Sequence, residues 1–211
     1  MKLLQRMNDF QLIARTPHGI LQYNCKSAFI KVDSVIPYVN KKKYDSLCEL
    51  GCPNYNNKWS CPPYASDFIT FTKSYEYLEV IMLLVNMQEF HYIKQDYLKI
   101  KAANSILKSR ADKALRVSKN KDEFYISTGS CRLCKPCKRK INQSCAHPTE
   151  RTFSFEALGV DVSSLVRDLF QKELLWYQKK ILPEYTCVVA GLLTNNKEST
   201  NKVVRHLIEI E

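Results

Sequence analysis

Seven of the nine cysteines in this 211-residue chain fall in two short runs. Cys48, Cys52 and Cys61 lie in CELGCPNYNNKWSCPPY, and Cys131, Cys134, Cys137 and Cys145 lie in CRLCKPCKRKINQSC. Thiols this close together constrain the fold before any periodicity does, because each run has to curl its backbone round a common centre. In a reducing compartment, clustered cysteines serve as metal ligands or redox centres more often than as disulfide partners. Nothing at the start resembles a signal peptide, since Arg6, Asp9 and Arg15 interrupt any apolar run there. The longest apolar run, YLEVIMLLVNM from Tyr77 to Met87, is about half of what a membrane span requires. A cytoplasmic protein that does not enter a membrane is the expectation.

The second run steps Cys131-x2-Cys134-x2-Cys137-x7-Cys145. Two CxxC steps in series let three thiolates converge while the backbone wraps the metal. The spacing matches the first three ligands of a bacterial ferredoxin and departs from it at the fourth. A cuboidal 4Fe–4S cluster suits the run, and zinc satisfies the same four thiols tetrahedrally. Arg132, Lys135, Lys138, Arg139 and Lys140 surround it. Cations there favour deprotonated thiols and stabilise the more negative, reduced form of a cluster.

The first run is punctuated by Gly51, Pro53, Pro62 and Pro63, which predicts a rigid loop rather than a helix. Three thiols suit a 4Fe–4S cluster with one iron left open to a substrate, water or another ligand. A fourth thiol from elsewhere would close the centre. Cys187, inside the apolar stretch YTCVVAGLL, reads as a small core residue. Cys25, in LQYNCKSA before a strand, is the better extra candidate. The spacing is not the CxxxCxxC of radical-SAM enzymes, because eight residues precede the third cysteine. His147, two residues after Cys145, is a possible extra ligand or a donor to a cluster sulfur. Glu156 and Asp161 could act as acid or base near the cluster, although a place at a helix N-terminus accounts for either.

Along the chain, Ser27 to Val39 has strand character and Tyr77 to Met87 reads as a fully buried strand. From Gln88 to Lys119 the pattern is helical. Ile93, Tyr97, Ile100 and Leu107 share one face, and Lys94, Lys101 and Lys108 form a row beside it that reads as solvated. Asp122 to Gly129 is strand-like and delivers the chain to the second run. A helix starts at Asp161, with Val162, Leu165, Val166, Leu169 and Phe170 as its apolar stripe, and runs toward Pro183. Tyr185 to Leu193 is a further buried strand. With only five glycines and eight prolines, no linker is evident. The expectation is a single α/β domain over residues 1–211, with a central mixed sheet flanked by helices. A cysteine-rich metal-binding lobe would be built from insertions at about 48–64 and 131–148.

CPNYNNKWSCPPY, followed by CRLCKPCKRKINQSCAHPTERTFSFEALGVDV, resembles a family of predicted metal-binding proteins, the domain of unknown function numbered 2284, found mostly in anaerobic bacteria and archaea. Its members look like C-x3-C-P-x-Y…W-S-C-P-P-Y, then C-x2-C-x2-C…C-x-H-P, then S-x-E-A-x-G-I-D-V. Cys48, Cys52, Pro53, Tyr55, Trp59, Ser60, Cys61, Pro62, Pro63 and Tyr64 match the first part. Cys131, Cys134, Cys137, Cys145, His147, Pro148, Ser154, Glu156, Ala157, Gly159, Asp161 and Val162 match the rest. Ala146 and Phe153 depart from the commoner arginine and proline. The resemblance implies metal binding and leaves the reaction open.

Three functions follow from these features. Two 4Fe–4S clusters would make an electron-transfer protein or redox enzyme, with the four-cysteine centre relaying electrons and the three-cysteine centre meeting the substrate. The formal charge of +11 would then attract an acidic redox partner protein or an anionic small-molecule substrate. Zinc at the same residues would make a structural or nucleic-acid-binding protein, which Lys41 to Lys43 and the lysine-rich helix allow. A metal or sulfur carrier is the third.

Overall fold

The computed structural model describes residues 6–210. Residues 1–5, part of the segment read for a targeting signal, lie outside the described residues. Strands β1 (Arg6–Thr16) and β2 (Gly19–Lys31) form a hairpin, with Thr16 opposite Gly19. The turn closes on Gly19 at φ 114°, a conformation that favours glycine. The long connection from β2 carries helices α1 (Lys41–Gly51) and α2 (Phe68–Thr72) and leads into β3 (Tyr77–Asn86). Helix α3 (Asp96–Ser118) then crosses to β4 (Phe124–Ile126). After the second cysteine run come α4 (Val162–Phe170), β5 (Tyr185–Thr194) and α5 (Lys202–Glu209).

The five strands lie in the order β1-β2-β3-β5-β4. This is the expected central sheet flanked by helices, with one correction. Every pairing is antiparallel, so the sheet is not mixed. Strands β3 and β4, joined through α3, do run parallel to each other. They are not neighbours, because β5 inserts between them and pairs antiparallel with both.

One face of the sheet buries Ala28, Leu78, Val80 and Met82 under α4 and the segment around Phe153, Phe155 and Leu158. All five residues of the expected α4 stripe are buried. Each such side chain contributes about 1.5–3 kcal/mol of burial. The other face buries Leu12, Tyr23, Ile81 and Leu83 under α3 and α5. Helix α3 presents Ala103, Leu107, Ala111, Ala114 and Leu115 to that face, and the alanines let it lie close. Tyr97 is exposed and Ile100 only half-buried, so the buried stripe sits further along the helix than the periodicity suggests. Strand β3 is buried on both faces from Leu78 to Val85, which explains its continuous apolar run.

Several boundaries differ from the sequence expectation. Strand β2 begins at Gly19 and ends at Lys31, and Val32–Tyr38 winds as a 3₁₀ helix. Residues Met87–Phe90 are also 3₁₀, so the long helix starts only at Asp96. Helix α4 stops at Phe170, well before Pro183, because Gln171 turns into the left-handed region at φ 52°. No helix among the described residues is long and apolar enough to cross a membrane.

Helix α5 takes its N-terminal cap from the sheet. Its N-cap residue Asn201 makes no side-chain cap bond, and the β3 residue Glu79 accepts from Val203 N–H at 3.2 Å instead. Ser27 Oγ donates to the other carboxyl oxygen at 3.2 Å. Glu79 is fully buried, and burial pushes its carboxyl up to about 7 against the pull of these bonds. The ordinary value is 4.5, so between the two values the folded state binds the extra proton. Its stabilising contribution is therefore complete below about pH 4.5 and lost as pH rises through about 7. Glu79→Gln cannot ionise. Urea unfolding from pH 4.5 to 8 should show the variant gaining up to about 3 kcal/mol on the wild type.

Candidate metal centre

Strand β4 pairs with β5 only at Gly191–Leu193, so β5 from Tyr185 to Ala190 forms an open sheet edge. The cysteine runs gather at this end of the molecule. Helix α1 carries Cys48 in its last turn, and Cys52 is its C-cap, with Cys52 N–H donating to Cys48 O at 2.9 Å. The first run is thus partly helical, contrary to the expectation of a loop throughout. Four-residue spacing on a helix end puts both thiols on one side. From Cys52 the chain descends through successive turns, and Cys61 N–H donates to Lys58 O at 3.1 Å. Asn56 supplies the left-handed residue at φ 54°, which asparagine tolerates.

Helix α1 buries none of its own residues, so its position depends on its ends. Asn40 caps it, accepting from Lys43 N–H at 3.1 Å, and Asn40 N–H donates to Gly159 O at 2.7 Å. Gly159 sits at φ 87°, and a Cβ there would lie 2.6 Å from Lys41 Cα. Only glycine allows α1 this close. Asp161 caps α4 by accepting from Ser164 N–H at 3.0 Å and also accepts from the Tyr44 hydroxyl on α1. Burial raises the Asp161 carboxyl, but these bonds hold it below its ordinary value. Asp161 is therefore a structural cap, as a helix N-terminus requires. Glu156 lies instead in the turn before Gly159, exposed and facing the cavity of the first run.

Cys48, Cys52 and Cys61 line a cavity of about 370 Å³. They are close enough for charge on one to affect another. Burial, then the neighbouring Cys52, raises Cys48. Burial lifts Cys61 to about 11, although the Ser60 hydroxyl bond and Lys58 oppose the rise. Neutral thiols held this way need a metal cation to displace their protons, so metal binding releases protons. Cys187 borders the same cavity from β5, mostly buried, and burial alone lifts it to about 12. It packs against the core, as its apolar stretch predicts, and also borders the cavity that the three loop thiols line. Cys25 is placed on the opposite face of the sheet, fully buried beside Ile81 and Leu83. Strand register separates the two, since Cys25 pairs with Leu83 and Leu83 pairs with Val188, one residue from Cys187. The structure does not bring Cys25 to either centre.

Cys131, Cys134, Cys137 and Cys145 line one small pocket together with His147 and Arg151. All nine cysteines are free thiols. His147 is exposed, with Nδ1 3.5 Å from the Glu150 carboxylate. Among the described residues, no three Cys, His, Asp or Glu side chains are gathered closely enough to hold a single metal ion.

The two runs are bound to each other. Lys58 Nζ donates to Ser130 Oγ at 2.8 Å and to Cys131 O at 3.2 Å. Trp59 Nε1 donates to Gln143 O at 2.9 Å. Arg139 lies 4.7 Å from the Tyr64 ring centre and 5.7 Å from that of Trp59, and donates to Asn56 Oδ1 at 2.9 Å. Arg139, expected only to offset cluster charge, thus clamps the runs together. Trp59 and Tyr64 pack edge to face at 4.7 Å. Ser60, buried and not singled out from the sequence, accepts from Cys131 N–H at 3.0 Å, and its Oγ is 3.9 Å from Cys61 Sγ.

Two sets of thiols on adjoining loops, backed by an antiparallel sheet, define a cysteine-rich metal-binding protein. The chain belongs to the family of predicted metal-binding proteins designated DUF2284, whose model matches residues 30–193. No curated protein and no solved structure matches it.

Gly159→Ala should displace α1 and with it Cys48 and Cys52. The expected loss is about 3 kcal/mol of unfolding free energy, from left-handed strain plus the backbone clash. Urea unfolding measures the loss, and metal content per chain should fall in the same variant.

Proposed function

We propose that the chain is an iron–sulfur protein with two 4Fe–4S clusters, acting in electron transfer or as a redox enzyme. Cys131, Cys134, Cys137 and Cys145 would hold one cluster. Cys48, Cys52 and Cys61 would hold the other and leave one coordination position for a substrate. The donor sets fit. A tetrahedral zinc ion with Zn–S of about 2.3 Å needs its four thiols within about 4 Å of each other. A cubane places one thiolate on each of separate irons and accepts a wider spread. Bound at these residues, the clusters supply one-electron redox chemistry at two adjoining sites.

The observation that carries this reading is the position of Ser60. Its hydroxyl accepts from the backbone of Cys131, which would be a ligand of one centre, and lies 3.9 Å from the sulfur of Cys61, which would be a ligand of the other. With its lone pair occupied by Cys131 N–H, the hydroxyl is free to donate to a Cys61 thiolate. One side chain therefore joins the ligand shells. Exposed Arg132, Lys135 and Lys140 beside exposed Leu133 and Ile141 suit an acidic redox partner docking over the four-thiol centre.

Anaerobically purified chain should contain about eight iron and eight acid-labile sulfide. Cys134→Ser and Cys52→Ser should each lower both counts toward half. Zinc without sulfide would defeat the proposal and turn both centres into structural sites. Ser60→Ala should lower the reduction potential of the three-thiol centre. A hydrogen bond of about 1 kcal/mol corresponds to roughly 40 mV for a one-electron couple. Ser60→Thr should restore most of the potential, as redox titration followed by EPR would show.

A further inference from the structure

The cavity beside the three loop thiols has a second set of groups that the cluster does not use. Helix α3 sends Asn104 and Lys108 into it, one turn apart on the same side of the helix. Lys108 is half-buried, and among the described residues its ammonium has no hydrogen bond or ion pair. Asn104 accepts from Thr186 Oγ1 at 3.4 Å through its carbonyl oxygen, so its amide N–H groups have no acceptor among the described residues. Arg132 adds positive potential at Lys108, while Glu156 and Asp112 are the anions acting on it. Lys108 and Asn104 thus border one cavity from adjacent turns of α3, and each has N–H groups left to donate to a carboxylate oxygen, with Arg132 offsetting the Glu156 carboxylate that borders the same cavity.

The remaining walls are of another kind. Ile100, Leu174, Leu175, Trp176 and Val188 give the cavity an apolar side. The cavity, at about 370 Å³, falls within the range of small-molecule sites. Such sites combine an apolar lining with a few placed polar groups that fix orientation. A solvated lysine face, the sequence expectation for Lys108, would leave its ammonium in bulk water. Here it faces into a cavity shared with three thiols.

We propose that this cavity binds a small organic carboxylate with a flat apolar body, its carboxylate on Lys108 and Asn104 and its body along Trp176. The placement of that body against an open coordination position rests on the two-cluster reading above. Carboxylate binding itself does not.

The test is isothermal titration calorimetry on the anaerobically purified full chain, with benzoate and trans-cinnamate as probes and their neutral amides as controls. Saturable binding of one carboxylate per chain is expected, with each amide at least tenfold weaker. Lys108→Met should weaken the carboxylate at least tenfold, and Lys108→Arg should retain binding within about threefold. Unchanged near-UV circular dichroism would show that the variants remain folded. No saturable heat with either carboxylate, or equal binding by wild type and Lys108→Met, would overturn the proposal. Lys108-dependent binding to a chain without iron keeps the pocket and removes the cluster reading. Iron and sulfide without carboxylate binding does the reverse.

Discussion

The site depends on a mismatch between two strands. Strand β5 has ten residues and β4 only three, so most of the outer edge of β5 is left without a strand partner. An open edge invites pairing with other chains unless it is covered. Here the first cysteine run, residues 128–130, the middle of α3 and residues 174–177 close over it and leave a cavity. Core and site are thus consequences of one topological choice, the insertion of β5 between β3 and β4.

Within that space the runs behave as a single unit. Lys58, Trp59 and Ser60 are consecutive, and each makes a hydrogen bond to the other run or its leading residue. The Arg139 guanidinium closes the contact from the opposite direction, over Tyr64 and Trp59. Charged and aromatic groups, whose usual place is the solvated surface, are used here to fix the relation between two ligand sets. Gly159 fixes α1 to the body of the protein, and through it Cys48 and Cys52.

Much of this was legible in the sequence, and the remainder failed for physical reasons. The gathering of the second run was readable because its four thiols are close in sequence, and they do line one pocket. Helix α4 was readable in its apolar stripe, but its end was not, since nothing about Gln171 announces a left-handed turn. Helix α1 escaped notice because Gly51 and Pro53 at its end read as loop signals and it buries no residue in the core. The placement of Cys25 and Cys187 on opposite faces of the sheet could not be foreseen. Both lie in strands where a one-residue step changes face, and only the strand order reveals which face meets the cavity. Lys108 read as part of a solvated row, and Asn104 carried no signal of its own. Their orientation follows from α3 docking by its alanines, which is a tertiary fact.

The central claim is that two iron–sulfur clusters stand next to each other, joined at Ser60. EPR spectroscopy of the fully reduced chain, compared with the Cys134→Ser variant, tests it most directly. Two neighbouring paramagnetic clusters should give a broadened, spin-coupled spectrum that simplifies to one isolated signal in the variant. A wild-type spectrum equal to the sum of two independent signals, or one with no iron–sulfur signal, would contradict the account.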